Sequence, residues 1–228
     1  MTETEGPSPN ARRFAGIALA PGYLPAHAAT YLYAAFITIG LLAFVSYIQP
    51  YLLTVNLGLP AHLQGRTISA LNVANELLAL CLVAPFGALA DKIGRRPVYA
   101  FGFLWLAAGF LLYPMARTVM QLTGCALFFS IGVAAIGTML GTVLADTPAE
   151  QSRGRLVGLT GFFQGLGAAA LVLLLGRLPK HLADSGVDAL TAGRITLWLA
   201  AALCLVSSVV VFAGLKRGTP SERAPAMP

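Results

Sequence analysis

One acidic residue stands deep inside a long apolar stretch of the chain: Glu76, in the run 67–90. Ser69 and Asn72 precede it by seven and four residues, so on a helix the three side chains share one face. A charged carboxylate inside a membrane costs about 3 kcal/mol or more. The pattern therefore predicts a site that takes up a coupling proton or contacts a cationic substrate. The alternative interpretation is a neutral glutamic acid that is hydrogen-bonded between helices.

Three amide side chains are further candidates for contact with a substrate or a proton pathway. Asn75 lies beside Glu76, Gln49 lies next to Pro50 in the first apolar run, and Gln164 lies in the fifth. For each of them, hydrogen bonding between neighbouring helices is the competing interpretation.

A compact charged segment follows the second apolar run and reads GALADKIGRRP over residues 87–97. Gly87 lets another helix come close, and Gly94 permits a tight turn. Asp91 ends a helix, where an anion is unfavourable unless a positive group meets it. Arg95 and Arg96 can form charge-assisted pairs. These properties are those of a gate, and the alternative is that the charges only hold the topology.

The elements that carry these residues must be membrane-spanning helices. Of the 228 residues, 57% are hydrophobic and only 11% are charged, whereas a soluble domain has about 25% charged residues. A helix needs roughly 20 apolar residues to cross the hydrocarbon core, and six runs meet that test. Their continuous apolar character excludes the alternating strands of a membrane β-barrel. The predicted spans are Tyr31–Asn56, Thr67–Ala90, Val98–Met115, Val119–Ala145, Leu156–Gly176 and Ile195–Leu215.

The orientation of the spans is predicted from the distribution of Lys and Arg. With six spans, both termini lie on one side, and that side holds ten of the 15 basic residues. The prediction is an inner-membrane protein with both termini in the cytoplasm. The ten are Arg12, Arg13, Lys92, Arg95, Arg96, Arg153, Arg155, Lys216, Arg217 and Arg223. The other five are Arg66, Arg117, Arg177, Lys180 and Arg194.

Three regions are expected along the chain. Residues 1–29 form a polar lead-in without a cleavable signal, which could include a helix lying on the membrane surface. Residues 30–217 form the six-helix bundle, and residues 218–228 form a polar tail. The fifth connection, Arg177 to Arg194, is predicted to be the longest loop on the outer side.

The charged segment resembles the signature of the major facilitator superfamily, G-x-x-x-D-[RK]-x-G-R-[RK], with every specified position filled. It stands where the family has it, in the connection between the second and third helices. The resemblance implies an all-α fold of six transmembrane helices, half of the family's usual architecture, built as an inverted three-plus-three repeat. It also implies that the aspartate meets a helix of the other half, and that the arginines reach an acidic residue ending the fourth helix. The gate residues are then Gly87, Asp91, Lys92, Gly94, Arg95, Arg96 and Asp146.

The resemblance implies secondary active transport of a small solute, coupled to protons or other ions, by alternating access with a second half. That half would be a second copy of the chain or another six-helix chain. The alternatives are a non-transporting membrane scaffold or assembly partner, and an inactive fragment of a longer transporter.

Other classes of function are not expected. The chain has no Walker loop, HExxH motif, catalytic triad or cofactor fingerprint, so neither an enzyme nor a cofactor or metal site is predicted. The basic residues form no stripe with aromatic side chains, which argues against nucleic-acid binding. The family's proton-driven drug exporters carry an arginine early in the fourth helix, where Phe128 stands here, so that subclass is not indicated.

Overall fold

The structure, a computed structural model, describes residues 13–216. In that part of the chain a short β-hairpin precedes six long α-helices, each long and apolar enough to cross a membrane. The hairpin pairs β1 (Arg13–Phe14) with β2 (Ile17–Ala18). The helices are α1 (Pro25–Val55), α2 (Ala61–Ile93), α3 (Arg95–Leu112), α4 (Val119–Asp146), α5 (Arg153–Asp184) and α6 (Ala189–Gly214). The predicted six-helix fold is confirmed.

Local chemistry explains where several helices begin. The side chain of Thr118 accepts a hydrogen bond from the backbone of Gln121 and caps α4, and Asp188 caps α6 in the same way. A proline at the first position of α1 loses no helical hydrogen bond. Between α2 and α3 there is a single residue, Gly94, with φ +95°. Since this backbone conformation favours glycine, the turn depends on that residue.

The packing of the helices follows the inverted repeat. In such a repeat α1 corresponds to α4, α2 to α5 and α3 to α6. The contact of α1 with α5 then corresponds to that of α4 with α2, and the contact of α3 with α6 corresponds to itself. All three contacts are extensive. The core is built from α1 and α3, and 61% of the most apolar stretch of each is buried. The corresponding values are 22% for α5 and only 11% for α2. These two helices therefore leave open faces on the bundle.

Glycines bring α1 and α5 into backbone contact. A Cβ atom at Gly40 of α1 would lie 2.7 Å from the carbonyl oxygen of Gly167 in α5, and a Cβ atom at Gly167 would overlap the carbonyl of Phe36. By contrast, Gly154, Gly158, Gly161 and Gly165 of α5 face open space. One face of α5 is thus locked onto α1, and another has no neighbour among the described residues.

Two expectations from the sequence are corrected. Instead of a surface helix, the lead-in forms the hairpin within its described part, because Ala15 and Gly16 have positive φ and turn the chain back. The predicted outer loop 177–194 is mostly helical, and only residues 185–188 separate α5 from α6. A charged stretch can continue a helix beyond the membrane, because its side chains reach water there. Residues 1–12, the tail 218–228 and Arg217 lie outside the described residues.

Candidate functional site

An ion pair joins α3 to α4 at the motif end of the bundle, by which we mean the end with the α2–α3 and α4–α5 connections. The Nε atom of Arg95 lies 2.7 Å from Oδ2 of Asp146, and the two side chains are 22% and 18% exposed. Gly94 places Arg95 as the first residue of α3, and Asp146 is the last residue of α4. The contact expected between a motif arginine and the end of the fourth helix is therefore present.

The two charges occupy the unfavourable ends of their own helices. A helix carries partial positive charge at its N-terminus and partial negative charge at its C-terminus. Arg95 is a cation at a helix N-terminus and Asp146 an anion at a helix C-terminus. Because each residue compensates for the other, the pair holds both helix ends together, and loss of either charge leaves the other opposed by its helix.

Arg96 connects the same region to α6. The guanidinium carbon lies 4.3 Å from the centre of the Phe212 ring, within the range of a cation–π interaction. Its Nε atom is buried and has no hydrogen-bond partner among residues 13–216. Arg95 and Arg96 thus tie the start of α3 to two different helices of the bundle.

The remaining motif residues lie on α2 and its turn. Asp91 and Lys92 are exposed at the end of the helix. A Cβ atom at Gly87 would meet nothing within 4 Å in the described bundle. The space beside Gly87 is therefore open to a helix from another bundle, and the lack of a side chain at this position would let that helix come close.

Glu76 lies on the open face of α2. Its side chain is exposed on the isolated bundle, as are those of Asn72 one turn earlier and Ser69 two turns earlier. Asn75 is half-buried, and its buried Oδ1 atom has no hydrogen-bond partner in the described part of the chain. The structure therefore keeps the predicted polar face together on one helix and presents it outward from the six-helix bundle.

The other two amide candidates lie apart from that face, on other helices. Gln49 of α1 is only 6% exposed, and Gln164 of α5 is half-buried. Among residues 13–216, no group of three or more His, Cys, Asp and Glu side chains could hold a metal ion.

The sequence analysis missed several buried hydroxyl contacts between helices. Thr38 and Tyr99, both fully buried, lie 3.3 Å apart through their hydroxyl oxygens. Tyr33 and Ser207 are similarly joined at 2.9 Å. Tyrosine in an apolar span could have signalled such contacts, since its hydroxyl needs a partner when buried.

Six apolar helices, an inverted-repeat arrangement and a charged turn between α2 and α3 define an all-α polytopic membrane protein. Comparison with known proteins gives the family: the model of the Major Facilitator Superfamily matches residues 75–227. The chain belongs to this superfamily, as its motif predicted, and the superfamily's activity is transport of solutes across membranes.

Relatives and a solved structure agree with this assignment. The magnetosome protein MamH of Paramagnetospirillum magneticum is 28% identical over 185 residues, covering 76% of this chain and 42% of MamH. The riboflavin transporter RibZ of Clostridioides difficile is 30% identical over 97 residues, 42% of this chain and 21% of RibZ. The human organic anion transporter MFSD10 shares the fold with a TM-score of 0.60 at 19% identity, covering 84% of this chain and 42% of MFSD10. The chain thus spans less than half the length of these proteins.

Proposed function

We propose that this chain is one half of a secondary active transporter that moves a small solute, coupled to protons or other ions, by alternating access. The observation that supports this proposal best is the combination of a formed Arg95–Asp146 pair with two open helix faces. In transporters built from repeats, substrate sites lie between bundles that rock against each other.

The open faces of α2 and α5 favour a second bundle as the partner. Glu76 and Asn72 would face lipid if nothing covered α2, and polar groups at that depth are costly unless they meet protein or water. The glycines on the open face of α5, such as Gly161, allow close approach of another helix. A second copy of the chain or a separate six-helix chain would satisfy both faces.

Glu76 is our candidate for the coupling group or for contact with a cationic substrate. On the proposed arrangement its carboxylate lies between the two bundles, where water and substrate have access. Asn72 and Asn75 would provide hydrogen bonds beside it, and Gln49 and Gln164 are weaker candidates.

The proposed location is the inner membrane, with the motif end and both termini in the cytoplasm. The excess of Lys and Arg at that end supports this orientation. The gate role of Gly87, Asp91, Lys92, Gly94 and Arg96 belongs to the same proposal.

The first experiment measures the native mass of the complex after gentle extraction from the membrane, with bound detergent and lipid accounted for. We expect about twice the 23.8 kDa of the chain for a dimer, or a 1:1 complex with another six-helix chain. A lone monomer would contradict the proposal and favour a fragment or a scaffold.

Matched glycine variants sharpen the same measurement. Gly161→Leu adds a bulky side chain on the open face of α5, and we expect it to dissociate the complex. Gly124→Leu adds the same side chain at an open position of α4 outside that face and serves as the control. Equal effects of the two variants would mean that the α5 face is not the contact.

A further inference from the structure

Residues 13–20, here called the N-terminal strap, fold back over the motif end of the bundle. The β-hairpin of the strap turns at Ala15 and Gly16, with φ values of +48° and +77°. Its second strand is anchored by Ile17, which is 2% exposed and belongs to the hydrophobic core. The strap is therefore packed onto the bundle and is not a free lead-in.

Backbone hydrogen bonds join the strap to the α4–α5 connection. The amide of Ala20 donates to the carbonyl of Thr147 at 3.0 Å, and the amide of Ala149 donates to the carbonyl of Ala18 at 2.9 Å. Between them Leu19 lies opposite Pro148 as in an antiparallel ladder. The connection thus receives its hydrogen bonds from the strap in the manner of a third strand.

A side chain of the connection continues this contact. The amide of Ala18 donates to Oγ of Ser152 at 3.1 Å, and Ser152 immediately precedes α5. At the edge of the contact, Arg155 of α5 donates to the carbonyl of Gly16 at 3.4 Å. The strap therefore reaches from the end of α4 to the first residues of α5.

The connection begins at the residue that follows the ion-paired carboxylate. Thr147 is 1% exposed, and both its amide and its hydroxyl donate to the carbonyl of Val143, at 3.1 and 2.6 Å. Its own carbonyl is the one that bonds to the strap. Removal of the strap would take away the partner of this buried carbonyl and free the backbone next to Asp146 to move.

We propose that the N-terminal strap is a positioning element for the Arg95–Asp146 ion pair. It fixes the backbone that leaves α4, and through it the carboxylate of Asp146. The proposal depends on contacts within this chain and does not rest on transport or on a second half, so its test is independent of the proposed function.

The test is a double-mutant cycle on the thermal unfolding of the full chain in detergent. Ile17→Asp places a charge at a buried position and releases the strap, whereas Ala15→Asp places the same charge at an exposed position of the same hairpin. Each variant is measured with Arg95 present and in the Arg95→Gln background. Loss of the buried Ile17 side chain together with the hydrogen bonds of the strap predicts that Ile17→Asp lowers Tm by at least about 4–8 °C when Arg95 is present.

A positioning role and a purely structural role predict different results. If the strap acts through Asp146, Ile17→Asp lowers Tm by less in the Arg95→Gln background than with Arg95 present, because the part of the loss that passes through the ion pair is already gone. Ala15→Asp changes Tm by less than about 1 °C in both backgrounds. Equal losses from Ile17→Asp in the two backgrounds would overturn the proposal.

A milder pair of variants applies if Ile17→Asp does not fold. Ser152→Ala removes the side-chain acceptor of the Ala18 amide, and Ser185→Ala removes a hydroxyl that bonds within its own helical turn at the other end of α5. We expect hydrogen–deuterium exchange in residues 147–152 to rise for Ser152→Ala, and to rise less when Arg95 is already Gln. Unchanged exchange, or an equal rise in both backgrounds, would refute the positioning role.

Discussion

Reversing the charges of the Arg95–Asp146 pair tests how much the helix ends and the ion pair each contribute to the stability of the motif end. In the double variant Arg95→Glu with Asp146→Arg, the pair keeps opposite charges. An anion then stands at the N-terminus of α3 and a cation at the C-terminus of α4. Each charge has moved from the unfavourable to the favourable sign for its own helix.

The magnitude follows from the two helix ends. Removing an unfavourable charge and adding a favourable one each contribute about 0.3–1 kcal/mol at each end, so the reversal gains about 1–4 kcal/mol. For the single variants Arg95→Gln and Asp146→Asn, we expect a loss of about 1–3 kcal/mol. This is between the values for exposed and buried pairs, since both side chains are partly buried. One kcal/mol corresponds to about 2–4 °C in Tm at this chain length.

The assay is thermal unfolding of the single, neutral double and reversed double variants under one detergent condition. We expect the reversed variant to unfold at least about 2 °C above the native chain, and both single variants to unfold below it. A reversed variant that unfolds below the neutral double, Arg95→Gln with Asp146→Asn, would refute the reasoning. The geometry of the native pair, and not the charge at the helix ends, would then dominate.

Three further predictions concern the core and the polar face. Gly167→Ala should lower Tm by at least about 6 °C, because the added Cβ atom overlaps the backbone of α1. The control Gly165→Ala, at an open position of the same helix, should leave Tm unchanged or raise it. Equal effects of the two variants would contradict the close contact. Tyr99→Phe should cost about 1 kcal/mol by unfolding, because it removes the buried hydroxyl contact with Thr38; no loss would mean that this contact adds nothing. Glu76→Gln should abolish the pH dependence of solute uptake into vesicles with retained binding; uptake with an unchanged pH profile would remove Glu76 from the coupling role.

The helices were predictable because their signal is local and strong. An apolar run in lipid must form a helix, since no other structure satisfies the backbone of a single segment. All six predicted spans match the helices to within a few residues at one end or both, and the turn at Gly94 was identified by its residue type. The C-terminal end of α5 was harder to predict. Residues Lys180 to Asp184 are charged or polar at most positions, and only the structure distinguishes helix from loop there.

The site was predictable only in part, for a physical reason. The contact of Arg95 with Asp146 depends on helix ends that the motif and the spans already locate. The strap depends on backbone hydrogen bonds to residues 147–149, more than 120 positions away in the chain, and such pairing leaves little trace in residue types. The exposure of Glu76 and the burial of Gln49 likewise depend on how the helices are rotated, which weak amphipathicity in apolar spans does not fix.

The glycine contact between α1 and α5 determines which motions are open to the bundle. Moving α5 by one residue along its helical screw, a rise of about 1.5 Å with about 100° of rotation, would place Leu166 or Ala168 at the contact. Each has a Cβ atom where the Phe36 carbonyl leaves no room. Rotating α5 about its axis meets the same obstacle. This backbone contact therefore opposes both sliding and rotation of α5 against α1, and the two helices must move together as one rigid body. On the proposed alternating-access function, the large displacement would occur at the outer faces of α2 and α5, not between α1 and α5.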